Sequence, residues 1–303
     1  MALRGMRIWR YIDEVARAGS VRQAAERVNI TPSALLRRIQ DVEHDLGAPI
    51  FERHASGMKL TAAGELLMSW MRSQEADFRR VYSQIGALSG LQRGEVSVVC
   101  SQASAAFVAE QINTFLKAYP NIHFTVNVTD HRSAVKALTE LECDVAVIFQ
   151  AADAVDVATL ESLDQRLMAV MAHDHPLAAQ AEVRLEQCAQ YGVALSFPNL
   201  GSRELLEEML RTSAGTVNVV YESNSFAMLP NLLRGSQLIG FHLEISVLDW
   251  RHDQTLAIRP IVNAERANRP IILGQLKGRT LPLASAKFAE HVRGAMLAMK
   301  AVS

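Results

Sequence analysis

Apolar positions in the first 60 residues recur at helical spacing in three short runs. Ile8, Tyr11, Ile12 and Val15 form one face of a first helix, stopped at Ala18-Gly19. Ser20 caps a second helix, with Gln23 completing a capping box, and Ala24-Ala25 supplies small residues where two helices approach closely. Val28 and Ile30 turn back into the core, Thr31 caps again, and Pro32 occupies a first helical position where its missing N–H costs nothing. The third run is Leu35, Leu36, Ile39, Val42 and Leu46, closed by Gly47. Then Ala48–Arg53 reads as a strand, Ala55–Met58 as a turn and Lys59–Thr61 as a return strand. A long stripe follows at alternating steps of four and three: Leu67, Met71, Gln74, Phe78, Val81, Ile85 and Leu88. Trp70 adds bulk beside it, and Ser89-Gly90 with Arg93-Gly94 ends it.

From Glu95 the period changes. Short apolar runs at Val96–Cys100, Phe124–Val128, Asp144–Phe149, Leu167–Met171, Val193–Phe197, Val217–Tyr221, Leu238–Phe241 and Ile271–Leu276 read as strands. Helical stretches at Ala105–Ala118, Ala134–Leu141, Glu204–Arg211, Ala227–Arg234 and Ala286–Met299 fall between them. This alternation implies α/β sheets with crossover helices. A crossover between two sheets is expected near Leu160–Gln165 and a return near Ala264–Arg269.

Two capped helices at this spacing, followed by a two-stranded wing, form a helix-turn-helix whose second helix enters a major groove with its N-terminal residues leading. Thr31, Ser33, Arg37 and Arg38 are the base and phosphate candidates there, and Arg53 and Lys59 are those of the wing. Charge agrees. The net charge of −1 hides +4 over residues 1–93 and −5 over the remainder. At 303 residues the chain has room for two or three domains.

No apolar run reaches the ~18 residues of a membrane span, and Met1–Arg7 lacks the pattern of an export signal. A cytoplasmic location is expected. Cys100, Cys143 and Cys188 form no CxxC pair, so they read first as small core hydrophobes and second as a redox sensor. His173-Asp174-His175 precedes Pro176 and reads as a loop, so no metal or cofactor is expected.

The N-terminal pattern resembles the DNA-binding domain of LysR-type transcriptional regulators. The resemblance is carried by Gly19-Ser20, Ala24-Ala25, Ile39, Val42-Glu43, Leu46-Gly47, Phe51, Arg53, Leu60-Thr61 and Ala63-Gly64. Pro32 and Leu36 depart from that family's pattern, so base contacts are not carried over to them. Phe115…Tyr119-Pro120, Asp144–Val147 and His175–Leu177 carry a second similarity, to the same family's effector domain.

The resemblance implies a winged helix-turn-helix over 1–64, a linker and dimerisation helix over 65–93, and a periplasmic-binding-protein-like effector domain over 94–303. Within that domain, 94–163 with 268–303 would form one α/β subdomain and 164–267 the other. Its partners would be double-stranded DNA bearing an interrupted inverted repeat, a small organic effector, RNA polymerase, and further copies of the chain as a dimer or tetramer.

Ligands of open α/β sheets bind beyond the carboxyl ends of strands. That rule selects Ser101, Gln102, Ser104, Phe149, Gln150, Phe197, Asn199, Ser202, Asn224 and His242. Hydroxyls, amides and aromatics dominate this set, which points to a small carboxylate or polar effector rather than a phosphorylated one. A solute-binding transport protein and an enzyme are the competing classes. The absent export signal argues against the first. The absence of GxSxG, HExxH or paired-carboxylate patterns argues against the second.

Overall fold

The computed structural model describes residues 6–55, 57–87, 93–149, 155–198, 201–213, 216–262 and 270–302. The chain divides into two compact units, Met1–Arg79 and Arg80–Ser303.

The first unit contains helices α1 (Met6–Ala18), α2 (Val21–Arg27) and α3 (Pro32–Leu46), then strands β1 (Phe51–His54) and β2 (Gly57–Leu60). Helix α4 (Ala62–Ala87) begins in this unit. Its caps follow the sequence, except that among the described residues the Gln23 side chain makes no return bond to Ser20, so the capping box is half formed. Ser20 Oγ accepts from the Gln23 N–H, Thr31 Oγ1 accepts from the Ala34 N–H, and Gly47 takes a left-handed C-cap at φ +66°. Ile12, Val15, Ala24, Ala25, Leu35, Ile39, Ile50, Phe51, Met68 and Met71 form its core.

Two expectations change here. Leu46 is 48% exposed and does not join the core. Along α4, Met71 is only 3% exposed because it packs with Met68 into the first unit's own core, while Leu66 is 76% exposed. The outward apolar face therefore starts at Leu66 and Trp70, not at Leu67 and Met71, and continues through Val81 and Ile85. Leu88 lies outside the described residues.

The second unit builds two five-stranded sheets. It runs β3 (Gly94–Cys100), α5 (Ala105–Ala118), β4 (Ile122–Val128), α6 (His131–Thr139), β5 (Val145–Phe149) and β6 (Val157–Leu163). It continues through β7 (Leu167–Ala172), α7 (Leu185–Cys188), β8 (Gly192–Ser196), α8 (Gly201–Ser213), β9 (Asn218–Ser223), α9 (Leu229–Leu233) and β10 (Ile239–Leu243). Strands β11 (Leu256–Pro260) and β12 (Ile271–Leu276) precede the last helix, α10 (Leu283–Val302). One sheet has the order β4-β3-β5-β12-β6 and the other β11-β7-β10-β8-β9. In the first, β3 runs parallel to β4 and β5 while β12 is antiparallel to β5 and β6. In the second, β8 runs parallel to β9 and β10, and β7 is antiparallel to β10 and β11.

The pattern of apolar runs missed β6 and β11. Both are edge strands, and an edge strand need not carry the continuous apolar run of a central parallel one. Strand β6 includes Thr159 and Glu161, and β11 includes Arg259, whose guanidinium donates to the Ala178 and Gln180 carbonyls. The expected crossover at Leu160–Gln165 shrinks accordingly, because Leu160–Leu163 belong to β6 and Asp164, Gln165 and Arg166 are what remains between β6 and β7. The expected return at 264–269 lies outside the described residues.

Candidate nucleic-acid interface and effector cleft

Helix α3 presents Thr31, Pro32, Ser33, Arg37 and Arg38 to solvent, while Leu35 and Ile39 anchor its opposite side in the core. Thr31 is engaged as the helix cap, and its Oγ1 lies 3.3 Å from Ser33 Oγ. The two arginines differ. Arg38 lies over the Tyr11 ring at 5.4 Å, a cation–π contact that fixes it against α1. Among the described residues no ring contact of this kind holds Arg37.

In the wing, Glu52 pairs with Lys59 and Arg53 with Met58. Directly opposed residues share a face of a ribbon. Arg53 and Lys59 therefore leave the wing on opposite faces, and Glu52 sits across from Lys59.

Backbone ties hold the wing. The Met58 N–H donates to the Gly19 carbonyl at 2.7 Å, and the Ile50 and Phe51 N–H groups donate to Glu43 Oε1 at 2.7 and 3.2 Å. Thr61 Oγ1 donates to the Pro49 carbonyl and accepts from the Gly64 N–H. A Cβ at Gly64 would stand 2.2 Å from the Ile50 oxygen, and one at Gly57 would stand 2.4 Å from the Gly19 oxygen. These glycines, with Glu43 and Thr61, fix the wing through contacts within the first unit.

In the second unit the strand ends gather in two groups. Ser101 follows β3, its N–H donates to the Val147 carbonyl, and its Oγ lies 2.8 Å from Ser104 Oγ. Phe149 ends β5, and its carbonyl is 2.8 Å from His131 Nδ1 at the start of α6. The other group lies beyond β8 and β9, where the Phe197 N–H donates to the Ser223 carbonyl beside Asn224. Phe197 and Asn224 are exposed, and Ser101 and Gln102 are partly so.

The groups meet where Gly201 opens α8, because a Cβ there would lie 2.8–3.1 Å from three atoms of the Phe149 ring. Next to it, Arg203 pairs with Glu207 and Glu222, both at 2.7 Å. Gly201 carries no strand-end signal, whereas His131 stands at a strand end and reads with Asp130 as a helix cap, and Asp130 is the cap of α6. A glycine opening an amphipathic helix was the only available signal for the first.

Three candidates are corrected. Ser104 is fully buried and its hydroxyl donates to the Val147 carbonyl at 2.6 Å. Ser202 is 1% exposed and pairs with Ser196 at 2.9 Å. His242 is fully buried between the Phe226 and Trp250 rings, and among the described residues neither ring nitrogen has a hydrogen-bond partner. All three pack the walls and none faces open space. Gln150 and Asn199 lie outside the described residues.

With this geometry, the family descriptions decide the assignment. The bacterial regulatory helix-turn-helix of the lysR family matches residues 6–65, and the LysR substrate binding domain matches residues 89–297. The chain belongs to the LysR-type family. It is a DNA-binding transcriptional regulator with an effector-binding domain.

A curated relative, a probable nitrogen assimilation transcriptional activator of Synechococcus elongatus, is 26% identical over 84% of each chain. A full-length OxyR variant from Pseudomonas aeruginosa shares the fold with TM-score 0.70 at 20% identity, covering 97% of this chain and 96% of its own. Full-length CbnR in complex with its target DNA gives 0.65 at 20% identity, with 95% and 99% covered. The QuiR effector-binding domain in complex with shikimate gives 0.57 at 20% identity, with 68% and 98% covered.

In this LysR-type chain the three thiols are buried. Burial pushes Cys100 up to about 11 and Cys188 up to about 12. A reactive sensor thiol needs the opposite, an accessible sulfur with a lowered pKa. No helix among the described residues is long and apolar enough to cross a membrane.

Proposed function

We propose that this LysR-type regulator reads an interrupted inverted repeat in double-stranded DNA and is switched by a small organic carboxylate bound between its two α/β subdomains. Arg37 and Ser33 would make the base contacts, Thr31 and Arg38 would orient the helix, and Arg53 and Lys59 would hold phosphates. Paired reading heads would come from residues 65–93 joining two copies through the face carrying Leu66, Trp70, Val81 and Ile85. Val126 and Val128 on one sheet edge, with Val219 and Val220 on the other, would extend the assembly towards a tetramer. Cytoplasmic contact with RNA polymerase would carry the output.

The observation that carries the switch is the meeting of Phe149 with Gly201. A ligand can regulate only if it binds one subdomain arrangement better than another, and the close approach of Phe149 to Gly201 supports a contact that would hold the cleft walls together. Ser101, Gln102, Phe197 and Asn224 are the residues we assign to the effector, with the first turn of α8 supplying N–H donors. The shikimate held by QuiR supports a carboxylate ligand. Footprinting of purified protein on the DNA upstream of its gene, with and without candidate carboxylates, tests this reading. Protection that no carboxylate alters, or that Ser101→Ala leaves equally responsive, would overturn the cleft assignment.

A further inference from the structure

A cavity of about 410 Å³ lies where the crossover meets the end of α10, and it shares no lining residue with the cleft candidates. Its apolar lining comes from Leu163, Leu248 and Met299, and its charged groups are Arg166, Arg251, Glu244 and Asp164. The size is within the range of small-ligand sites, ~300–1,000 Å³.

The two guanidiniums offer N–H donors to an anion. Glu244 Oε2 accepts from Arg166 Nε at 3.4 Å, and its Oε1 accepts from Arg251 Nη2 at 2.9 Å. One carboxylate is thus shared by two guanidiniums. Each guanidinium carries five N–H donors, and among the described residues each uses one of them on the protein. Both arginine side chains are close to half exposed, 46% and 48%, so they stand at the mouth, while Leu163 is 4% exposed and lies deep. Asp164 also lines the cavity, so selectivity comes from the placement of the donors rather than from net charge.

The walls come from both subdomains and the link between them. Leu163 and Met299 belong to β6 and α10, Glu244 and Arg251 follow β10, and Arg166 is the last residue of the crossover. The link is fixed by Gln165, which is 2% exposed, donates to the Leu163 and Asp164 carbonyls and accepts from the Ile245 N–H at 2.9 Å.

We propose that this hinge cavity is a second ligand site, for a small amphipathic monocarboxylate whose head group bridges Arg166 and Arg251 and whose apolar part lies on Leu163, Leu248 and Met299. A ligand touching both subdomains and their link, and binding one arrangement better than the other, shifts their angle, and by linkage it alters affinity in the cleft.

Calorimetric titration of the full-length chain with hexanoate and with the neutral hexanamide tests it. The acid should bind at least about tenfold more tightly than the amide, ~1.4 kcal/mol. Arg251→Met should remove that preference and Arg251→Lys should keep part of it. Ala298 is solvent-facing on α10, so Ala298→Phe should fill the cavity mouth without disturbing the core and weaken hexanoate at least about tenfold. Ser101→Ala, in the cleft, should leave hexanoate binding unchanged. The proposal is overturned by no binding, by equal binding of acid and amide, by indifference to both Arg251→Met and Ala298→Phe, or by loss in Ser101→Ala. The last result would put the acid in the cleft and leave the cleft reading intact.

Discussion

The ring of Phe149 fills the space that a side chain at Gly201 would need, with three ring atoms within 3.1 Å of the missing Cβ. One residue ends a strand of the first sheet and the other opens a helix of the second. Gly201→Ala must push the ring or the helix away, so the contact opens without ligand. Phe149→Ala opens it without backbone strain. Both variants should bind the cleft effector more tightly than wild type, because the ligand no longer has to break the contact. Unchanged or weaker affinity in both would show that the contact does not oppose ligand entry.

The wing depends on Gly64 in a different way. Its Cα faces the Ile50 carbonyl so closely that a methyl group would overlap the oxygen at 2.2 Å, and neither partner is a movable side-chain end. Gly64→Ala should destabilise the first unit by about 1–3 kcal/mol, as overpacking of rigid neighbours does. Scanning calorimetry should show that loss in the first unit only, together with weakened operator binding and unchanged effector binding. A variant of wild-type stability would contradict the steric account.

Local signals explain why so much of the first unit was readable. Ser20, Thr31, Pro32 and Gly47 each act within four residues of where they stand, and the structure uses all four as helix boundaries. The α4 stripe was less readable, because Met71 satisfies two periodicities and only tertiary packing assigns it to the core. Edge strands β6 and β11 carry no unbroken apolar run. The strand-end rule picked Ser101 and Phe149, which do stand at the ends of β3 and β5, but it could not tell that Ser104 and His242 are fully buried, since burial there depends on distant rings and carbonyls. Gly201 became visible only through the residue it touches.

Arg37 and Arg38 are adjacent but should not be equivalent. The guanidinium of Arg38 is held over Tyr11, while Arg37 is exposed and, among the described residues, has no such ring. Arg37→Ala should cost about 1–3 kcal/mol of discrimination between operator and random DNA, the range of a bidentate base contact. Arg38→Ala should weaken both sequences alike. Lys59→Ala should lower the slope of log K against log salt by about 0.9, the signature of one lost phosphate contact. Fluorescence anisotropy across a salt series separates these outcomes, and equal specificity in wild type and Arg37→Ala would rule out Arg37 as a base reader.

Asp144, part of the strand motif carrying the effector-domain similarity, has a structural role. Arg279 Nη2 donates to its Oδ1 at 2.7 Å, Ser285 Oγ and the Ser97 N–H donate to its Oδ2, and both charged side chains are less than 10% exposed. Removing one partner leaves a buried charge unpaired, so Asp144→Ala should cost about 3–5 kcal/mol. The double variant Asp144→Leu with Arg279→Met should cost clearly less, because no lone charge remains. Urea denaturation of the three proteins distinguishes a stabilising pair from one that only avoids a penalty.

His242 makes the second unit sensitive to acid. Burial between Phe226 and Trp250 lowers its pKa from 6.5 to about 3, so the folded chain keeps the ring neutral. The unfolded chain takes up the proton near pH 6.5, and between that pH and about 3 it binds more protons at this position than the native state does. This contribution is therefore complete above pH 6.5 and is lost as pH falls, by up to about 1.4 kcal/mol per pH unit. His175, whose pKa is also lowered by burial, adds a loss of the same sign. Carboxylates join only nearer their own pKa values of ~4, so the interval from pH 6.5 to 5 isolates the histidines. Urea midpoints measured across that interval should fall steeply for wild type and less steeply for His242→Leu, which keeps the apolar contacts and has no proton to bind. Parallel slopes for the two proteins would mean that His242 is protonated in the folded state without penalty, and that its place between the two rings has another origin.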